Sequence, residues 1–428
     1  MHDKVNDKIN QVTEDTLIIG VDIAKRKHYA CAIDDRGREL KRAFSFKQSY
    51  QGFENFIQAI NELKTKHQKT NVLIGFEATG HYWKNLAERL RDEELLYVIV
   101  NPMHVKRSKE FEDNNQSKND KKDARLIARL VENGYFTFHR FLKDIEAELR
   151  ECTMWRRDLI DERASLKNKL ANWTDQYFPE FTEVFKDWGI QARTVLRYTP
   201  YPKDVQTRSV EECMALYLED KGARFLSRNK IAELKERASL SIGRTQGQEM
   251  AYFKLVNLLD QYALLEKQIQ AIEEKLCFYA RQLSDFEWIA SIRGVSDLQA
   301  AELLAETGPL SQYSHPRQLI KLAGLTLRDD SSGDREGEKR LSKRGRKALR
   351  ALLFRMVTTI LPNNEAFKAI YQYYIDRSDN PLKKKEAKVA LCRKILQVVY
   401  GMSKHQCPFD GDQMRRDLSS HLPVNQAA

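Results

Sequence analysis

The chain has 428 residues, of which 42% are hydrophobic and 31% charged, with a formal net charge of +11. At roughly 100 to 200 residues per domain this length implies two to four domains with sizeable cores. No apolar run approaches the ~20 residues of a membrane helix and "MHDKVNDKINQVTEDT" holds no apolar signal core, so a soluble, cytoplasmic chain with no membrane partner is expected.

The first 140 residues alternate strand and helix patterns. "TLIIGVDIA" and "HYACAIDD" predict a β-hairpin, "LKRAFSF" a third strand, and "QGFENFIQAINELKTK" an amphipathic helix. "NVLIGFEA" and "LLYVIVN" follow as buried strands around a second helix, "GHYWKNLAERL". A third helix begins near Asn119, with Leu126, Ile127 and Leu130 as its apolar stripe. Three strands, a helix, then alternating strands and helices is the order of a ribonuclease-H-like α/β fold.

From 141 to 285 the turn signals nearly vanish. Leu255, Leu258, Tyr262, Leu265, Ile269, Ile272, Leu276 and Tyr279 recur at spacings of three and four, the seam of a coiled coil. Upstream, Ile145, Leu149, Cys152, Leu159, Leu166, Leu170 and Trp173 repeat the pattern, with Arg156 and Arg163 in seam positions. Two such arms imply an antiparallel hairpin, and the proline-bearing insert at about 174–247 a small lobe. The last part, 286–428, is mostly helical and ends in the basic amphipathic helix "KKKEAKVALCRKILQVVYGM" and a polar tail.

A large basic excess favours a polyanionic partner, because neutralising phosphates releases condensed counterions, and nucleic acid is the leading candidate. The six cysteines, Cys31, Cys152, Cys213, Cys277, Cys392 and Cys407, include no closely spaced pair, which indicates neither a zinc site nor a disulfide framework.

Asp22 is a single acid inside an apolar strand, and Glu77 has the same character at the end of "NVLIGFEATG". A carboxylate there is costly to bury unless it meets a cation or the open edge of the sheet. If the two strands are neighbours the carboxylates converge. Asp120 and Asp123 in "NDKKDAR" are three apart, hence on one helical face, and would complete a four-acid cluster, although a solvated face among lysines is the ordinary reading of that pair. Four oxygen donors without histidine or thiolate suit Mg²⁺, and two ions about 4 Å apart can flank a phosphate and stabilise the attacking and leaving oxygens. No glycine-rich phosphate loop follows Asp22, against a small-nucleotide site.

In "IASIRGVSDLQAAELLAETG" a helix, a Gly-containing turn and a second helix form a hairpin that could meet DNA phosphate, although plain packing is commoner. Downstream, Lys339, Arg340, Lys343, Arg344, Arg346, Lys347 and Arg350 lie close together and form a candidate phosphate-contacting surface. Between these features, "RDDSSGDREGEKRLSKRG" has the composition of a linker. A serine hydroxyl is a poor nucleophile without a base, a metal or oxyanion stabilisation, and this loop holds no histidine.

Taken in order, "GVDIAKRKHYACAIDDRG", "GFEATGHYWKNLAERL", "VNPMHVK" with "SKNDKKDARLIARL", and "SIRGVSDLQAAELLAETGPLSQYSHPRQLIKLAGLTLRDDSSGDREGEKRLSKRGRKALRALLF" resemble the successive blocks of the DEDD transposases of the insertion-sequence one-ten family. The resemblance spans about residues 17–135 and 286–410. It implies that Asp22, Glu77, Asp120 and Asp123 are the four acids of a RuvC-like nuclease domain binding Mg²⁺, and that Ser332, with Ser331 as the adjacent hydroxyl, is the nucleophile of a covalent phosphoserine link to DNA. It further implies an oligomer, dimer or tetramer, in which acids and serine meet across subunits. A structured guide RNA pairing with donor and target DNA, and a nucleoid-associated, bacterial-type setting, complete the expectation. Arg156 and Arg163 are then candidate contacts to RNA or DNA phosphate, the alternative being salt bridges inside the arm pair. The competing functions are a metal-dependent, junction-resolvase-like nuclease using only the acids and water, and a non-catalytic nucleic-acid-binding protein.

Overall fold

The computed structural model describes residues 5–112, 120–142, 144–219, 225–328 and 340–419. The chain divides into two units, Met1–Phe141 and Leu142–Ala428.

In the first unit, a short helix α1 (Val5–Ile9) precedes an antiparallel meander of β1 (Thr16–Asp22), β2 (Lys27–Ile33) and β3 (Glu39–Lys47). Helix α2 (Tyr50–Lys66) leads to β4 (Asn71–Glu77), and α3 (Trp83–Asp92) leads to β5 (Tyr97–Val100). Both strands join the sheet in parallel, β4 beside β1 and β5 beside β4. Helices α4 (Pro102–Glu112) and α5 (Asp120–Glu132) follow, and β6 (Phe136–Phe138) closes the edge antiparallel to β5. The strand order is β3-β2-β1-β4-β5-β6.

The period-2 alternation of β1 separates two cores. Leu17, Ile19 and Val21 pack with Phe53, Phe56 and Ile60 of α2 and Leu86 and Leu90 of α3. Ile18 faces the other side, with Leu126, Ile127 and Val131 of α5. Gly20 and Gly75 are partners in the β1–β4 ladder. A Cβ on Gly20 would stand 2.2 Å from the Ala124 carbonyl oxygen, and one on Gly75 would stand 2.2 Å from Val131 Cγ2. The two missing side chains let α5 lie directly on the sheet.

The second unit is built on α6 (Ile145–Tyr177) and α12 (Gln248–Ala280). They pair antiparallel: the Trp173 indole donates to the Ala251 carbonyl at 2.8 Å, while Arg156 near the other end of α6 meets Glu273 near the end of α12. Leu149, Cys152, Leu159, Leu166, Leu170 and Trp173 are buried against Leu255, Leu258, Tyr262, Leu265, Ile269, Ile272 and Leu276. Between the two arms sits a helical lobe of α7 (Phe181–Val184), α8 (Ile190–Tyr198), α9 (Pro202–Gln206), α10 (Val210–Leu218) and α11 (Arg228–Ala238).

Helices α13 (Asp285–Ala290), α14 (Asp297–Thr307) and α15 (Pro316–Leu322) then lead into a ribbon of β7 (Leu327–Arg328) and β8 (Arg340–Leu341). Helices α16 (Lys347–Ile360), α17 (Glu365–Asp376), α18 (Lys384–His405) and α19 (Gly411–Ser419) complete the unit. Two glutamates are buried along α14. Glu302 bonds Arg156 of α6 at 2.7 Å and Arg355 of α16 at 2.9 Å, and Glu306 bonds Arg150 at 3.0 Å and Arg157 at 2.9 Å. Among the described residues no helix is long and apolar enough to cross a membrane.

Several elements exceed the sequence expectation, among them α1, the β7–β8 ribbon, β6, α4 and α19. Strand β6 is three residues long, too short to carry a period. Helix α4 begins at Pro102 and, among its described side chains, buries only Val105. Helix α19 lies in the polar tail, anchored by the buried Met414.

The glycine contacts predict a contrast. Gly20→Ala should destabilise the chain by about 3 kcal/mol or more, because the obstructing atoms are backbone. Gly401→Ala, in α18 with nothing within 4 Å of the added carbon, should be neutral or stabilise by about 0.5–1 kcal/mol. Denaturant unfolding of both variants checks this; equal midpoints would contradict it.

Candidate active site

Adjacent parallel strands end on the same edge of a sheet, and here each ends in an acid. Val21 and Phe76 are register partners, so Asp22 and Glu77, one residue further on, emerge side by side. The turn after Asp22 is fixed from beneath. The buried His28 accepts from the Ala24 N–H through Nδ1 at 3.2 Å, and its Nε2 meets Gln48 Oε1. Burial lowers the His28 pKa, which keeps the ring neutral and able to accept.

Asp120 and Asp123 occupy the first turn of α5, where acids also complement the helix dipole. Because Gly20 admits the backbone at Ala124, that turn is held beside the β1 terminus. The carboxyl of Asp22 records the result: its pKa is raised to about 6, first by burial, then by the charges of Asp123 and Asp120, with Glu77 adding to them and Lys109 opposing. Lys109 of α4 is a residue the sequence did not single out. Its ammonium lies 2.6 Å from Asp123 Oδ2. The Thr79 hydroxyl similarly donates to the Glu77 carboxylate.

The four acids form a donor set of hard oxygens that suits a divalent cation. Asp123 is bonded to Lys109 and Glu77 to Thr79, and among the described residues no three His, Cys, Asp or Glu side chains frame a single ion. The donor chemistry fits a metal. The mutual repulsion at Asp22, relieved in part by an ammonium, fits it as well, since a divalent ion would offset the same charge more fully.

The basic candidates separate into groups. Arg156 is paired with Glu273 and Glu302, the salt-bridge alternative foreseen for the arms. Arg163 is half-buried beside Tyr262, where its charge opposes the rise in phenol pKa caused by burial. Arg346 pairs with Glu306, and Arg350 donates to the Ala323 carbonyl at 2.8 Å. Arg340, Lys343, Arg344 and Lys347 are exposed. Ser331, Ser332 and Lys339 lie outside the described residues. The residues on either side of their segment form the β7–β8 ribbon. Leu327 pairs with Leu341 and Arg328 with Arg340, and below the ribbon a Cβ on Gly345 would stand 2.4 Å from the Gly324 nitrogen. In the α13–α14 hairpin Gly294 has φ +97°, and a Cβ there would meet the Thr359 carbonyl at 2.7 Å, so this turn packs on α16.

Two family models match the chain, a DEDD transposase model of the IS110 type over residues 19–179 and one described as "Transposase IS116/IS110/IS902 family" over residues 287–372. An insertion element IS116 uncharacterized 44.8 kDa protein from Streptomyces clavuligerus is 24% identical, over 91% of this chain and 94% of its own. The transposase for insertion sequence element IS1111A from Coxiella burnetii is 24% identical, over 81% and 79%. The pilin gene-inverting protein of Moraxella bovis is 23% identical, over 92% and 97%.

The Asp22 environment predicts a stability signature. The folded chain holds this proton up to about pH 6, whereas an unfolded aspartate releases it near pH 4. The contribution of Asp22 to stability therefore falls as pH rises through that window and is least favourable above pH 6. In metal-free buffer at pH 7.5, Asp22→Asn should melt higher than the parent by about 2 to 6 °C, with the gap closing towards pH 4. Added divalent cation should raise the melting temperature of the parent more than that of the variant. A variant that melts no higher than the parent at pH 7.5 would overturn the assignment.

Proposed function

This chain belongs to the IS110 family of transposases, and from that premise we propose a recombination reaction in which Ser332 and the acids Asp22, Glu77, Asp120 and Asp123 act on one DNA phosphodiester. The enzyme is a DNA transposase and recombinase. The observation that supports the finer reading is the carboxyl of Asp22, whose pKa is raised to about 6 by burial and then by the charges of Asp123, Asp120 and Glu77. The strand order, with β1 between β2 and β4, supports a ribonuclease-H-like, RuvC-like unit.

In the proposed chemistry the Ser332 Oγ attacks phosphorus, its proton leaves, a serine–phosphate bond forms, and the bond to one deoxyribose oxygen breaks, that oxygen taking up a proton. Because one phosphate ester replaces another, the link conserves the bond for rejoining, and attack by a second deoxyribose hydroxyl regenerates the serine. Asp22, Glu77, Asp120 and Asp123 would hold Mg²⁺, as one ion or two, which when bound supplies Lewis-acid polarisation of the phosphate oxygens. Lys109 holds the cluster's charge in balance, and withdrawal of its ammonium frees Asp123 as a ligand. The His28–Gln48 pair keeps the turn after Asp22 in place.

The partners in this reading are donor and target DNA, a structured guide RNA that pairs with both, and further copies of the chain. Guide RNA and oligomer rest on the family resemblance, in keeping with the net charge of +11.

The test is a covalent adduct. Purified protein, Mg²⁺, the element's DNA ends and the RNA transcribed from them should yield DNA attached to protein, lost in Ser332→Ala and in Asp22→Ala but retained in Ser331→Ala. Cleavage that survives Ser332→Ala and vanishes in Asp22→Ala would instead establish a resolvase-like nuclease with water as nucleophile.

A further inference from the structure

The second unit contains a cleft of about 1370 Å³ at the foot of the β7–β8 ribbon. Its floor is apolar, formed by Leu327, Leu341, Leu382, Val389 and Ala390 with the ring of Tyr374. Among the described residues its walls carry seven cationic side chains and one carboxylate, Glu386. That carboxylate is engaged, accepting from the Lys383 N–H at 3.0 Å to cap α18.

Three separate elements supply the cations, which argues against a chance run of lysines. The ribbon contributes Arg328 and Arg340, directly opposed across the antiparallel pair. Like charges in that position repel and are normally avoided. Lys343 follows in the left-handed region with φ 53°, a backbone state that lysine seldom adopts. The end of α17 contributes Arg377, tethered through Nε to the Asn380 carbonyl at 2.8 Å and 6.0 Å from the Tyr374 ring. Helix α18 contributes Lys383, Lys385 and Arg393. Lysines at a helix N-terminus oppose the macrodipole. The lysines at the start of α18 would gain from one kind of occupant, a run of negative charge lying along the cleft.

We propose that this cleft holds the sugar-phosphate backbone of the DNA strand presented to the Ser332 segment, with Arg377, Lys385 and Arg393 gripping phosphates that neighbour the reacting one. The assignment rests on the proposed serine chemistry for its choice of strand. Ser332 is four residues along the chain from Arg328, a span of at most about 14 Å of extended chain, and Arg328 itself lines the cleft. The volume exceeds the roughly 300–1,000 Å³ of small-molecule pockets, and the low-dielectric floor strengthens each phosphate contact.

The experiment measures binding, which does not depend on cleavage. Fluorescence anisotropy of the full chain with duplex donor-end DNA is followed across a salt series. Arg377→Gln/Arg393→Gln should weaken binding by roughly 10- to 50-fold at 0.15 M salt and reduce the slope of log K against log salt by about 1.8, two phosphate contacts' worth. Because both arginines are half-buried, the exposed pair Lys383→Gln/Lys385→Gln gives a second reading free of folding effects, with a loss in the same direction. Arg228→Gln/Arg237→Gln, on the lobe and paired with Glu211 and Glu183, removes the same charge and should leave binding unchanged. Parental affinity and slope in both cleft variants would overturn the proposal, as would a loss confined to RNA. Reduced DNA binding without any Ser332 adduct in the parent supports the cleft and refutes the serine chemistry. Normal adduct formation with undiminished binding in the cleft variants refutes the cleft alone.

Discussion

Helix α5 touches the backbone of the sheet, and the acidic site depends on that contact. Gly20 and Gly75 are paired in adjacent strands, so their missing side chains open one continuous slot. A helix kept at ordinary distance by a Cβ on either strand would carry Asp120 and Asp123 away from Asp22 and Glu77. The parallel pairing of β1 with β4 places the other two acids on the same edge, because parallel neighbours end together. Backbone geometry thus does what no attraction among carboxylates could do. Left to electrostatics the four acids would separate, and the pKa of Asp22, raised first by burial and then by Asp123 and Asp120, shows the fold working against that tendency. Stored conflict of this kind belongs at sites whose counter-charge arrives with the substrate or cofactor.

The second unit solves an opposite problem. Its long helices bury ample apolar surface, yet α14 places Glu302 and Glu306 one helical turn apart in that interior. Each is met by arginines from different helices: Arg156 and Arg355 on the first, Arg150, Arg157 and Arg346 on the second. Against an apolar replacement such a network adds little net stability, but losing one partner leaves a charge stranded. Its consequence is geometrical. The arm helix α6, the hairpin helix α14 and the helix α16 that follows the ribbon must keep one arrangement to satisfy all these charges, and the root of the Ser332 segment is built on α16 and on the Gly324–Gly345 contact.

Negative charge is concentrated on a strand edge in one unit and positive charge around a cleft in the other. In the proposed chemistry the carboxylates would need a cation beside a phosphate, whereas the cleft would meet phosphates directly. The fate of the arginines shows why charge density in sequence is a poor guide to such a surface. Arg346 and Arg350 fall in the densest basic run and turn to Glu306 and the Ala323 carbonyl. Arg377 and Arg393 stand apart from it and reach the cleft.

Much of this was legible without coordinates. Period-2 runs located β1 to β5, three-and-four spacings located α6 and α12, and an acid inside an apolar strand marked Asp22 and Glu77, because burying a charge is so costly that its presence is informative. Family resemblance, not composition, singled out Ser332. Strand β6 escaped because three residues cannot show a period, and Lys109 because an ammonium among many lysines carries no local mark until a carboxylate is 2.6 Å away. Local pattern by itself determined the elements, the seams and the two strand acids, since each is a property of neighbours in the chain. Only the tertiary structure decided which groups meet, because Gly20 against Ala124, Lys109 against Asp123 and Arg156 against Glu302 are contacts between residues that the chain keeps apart.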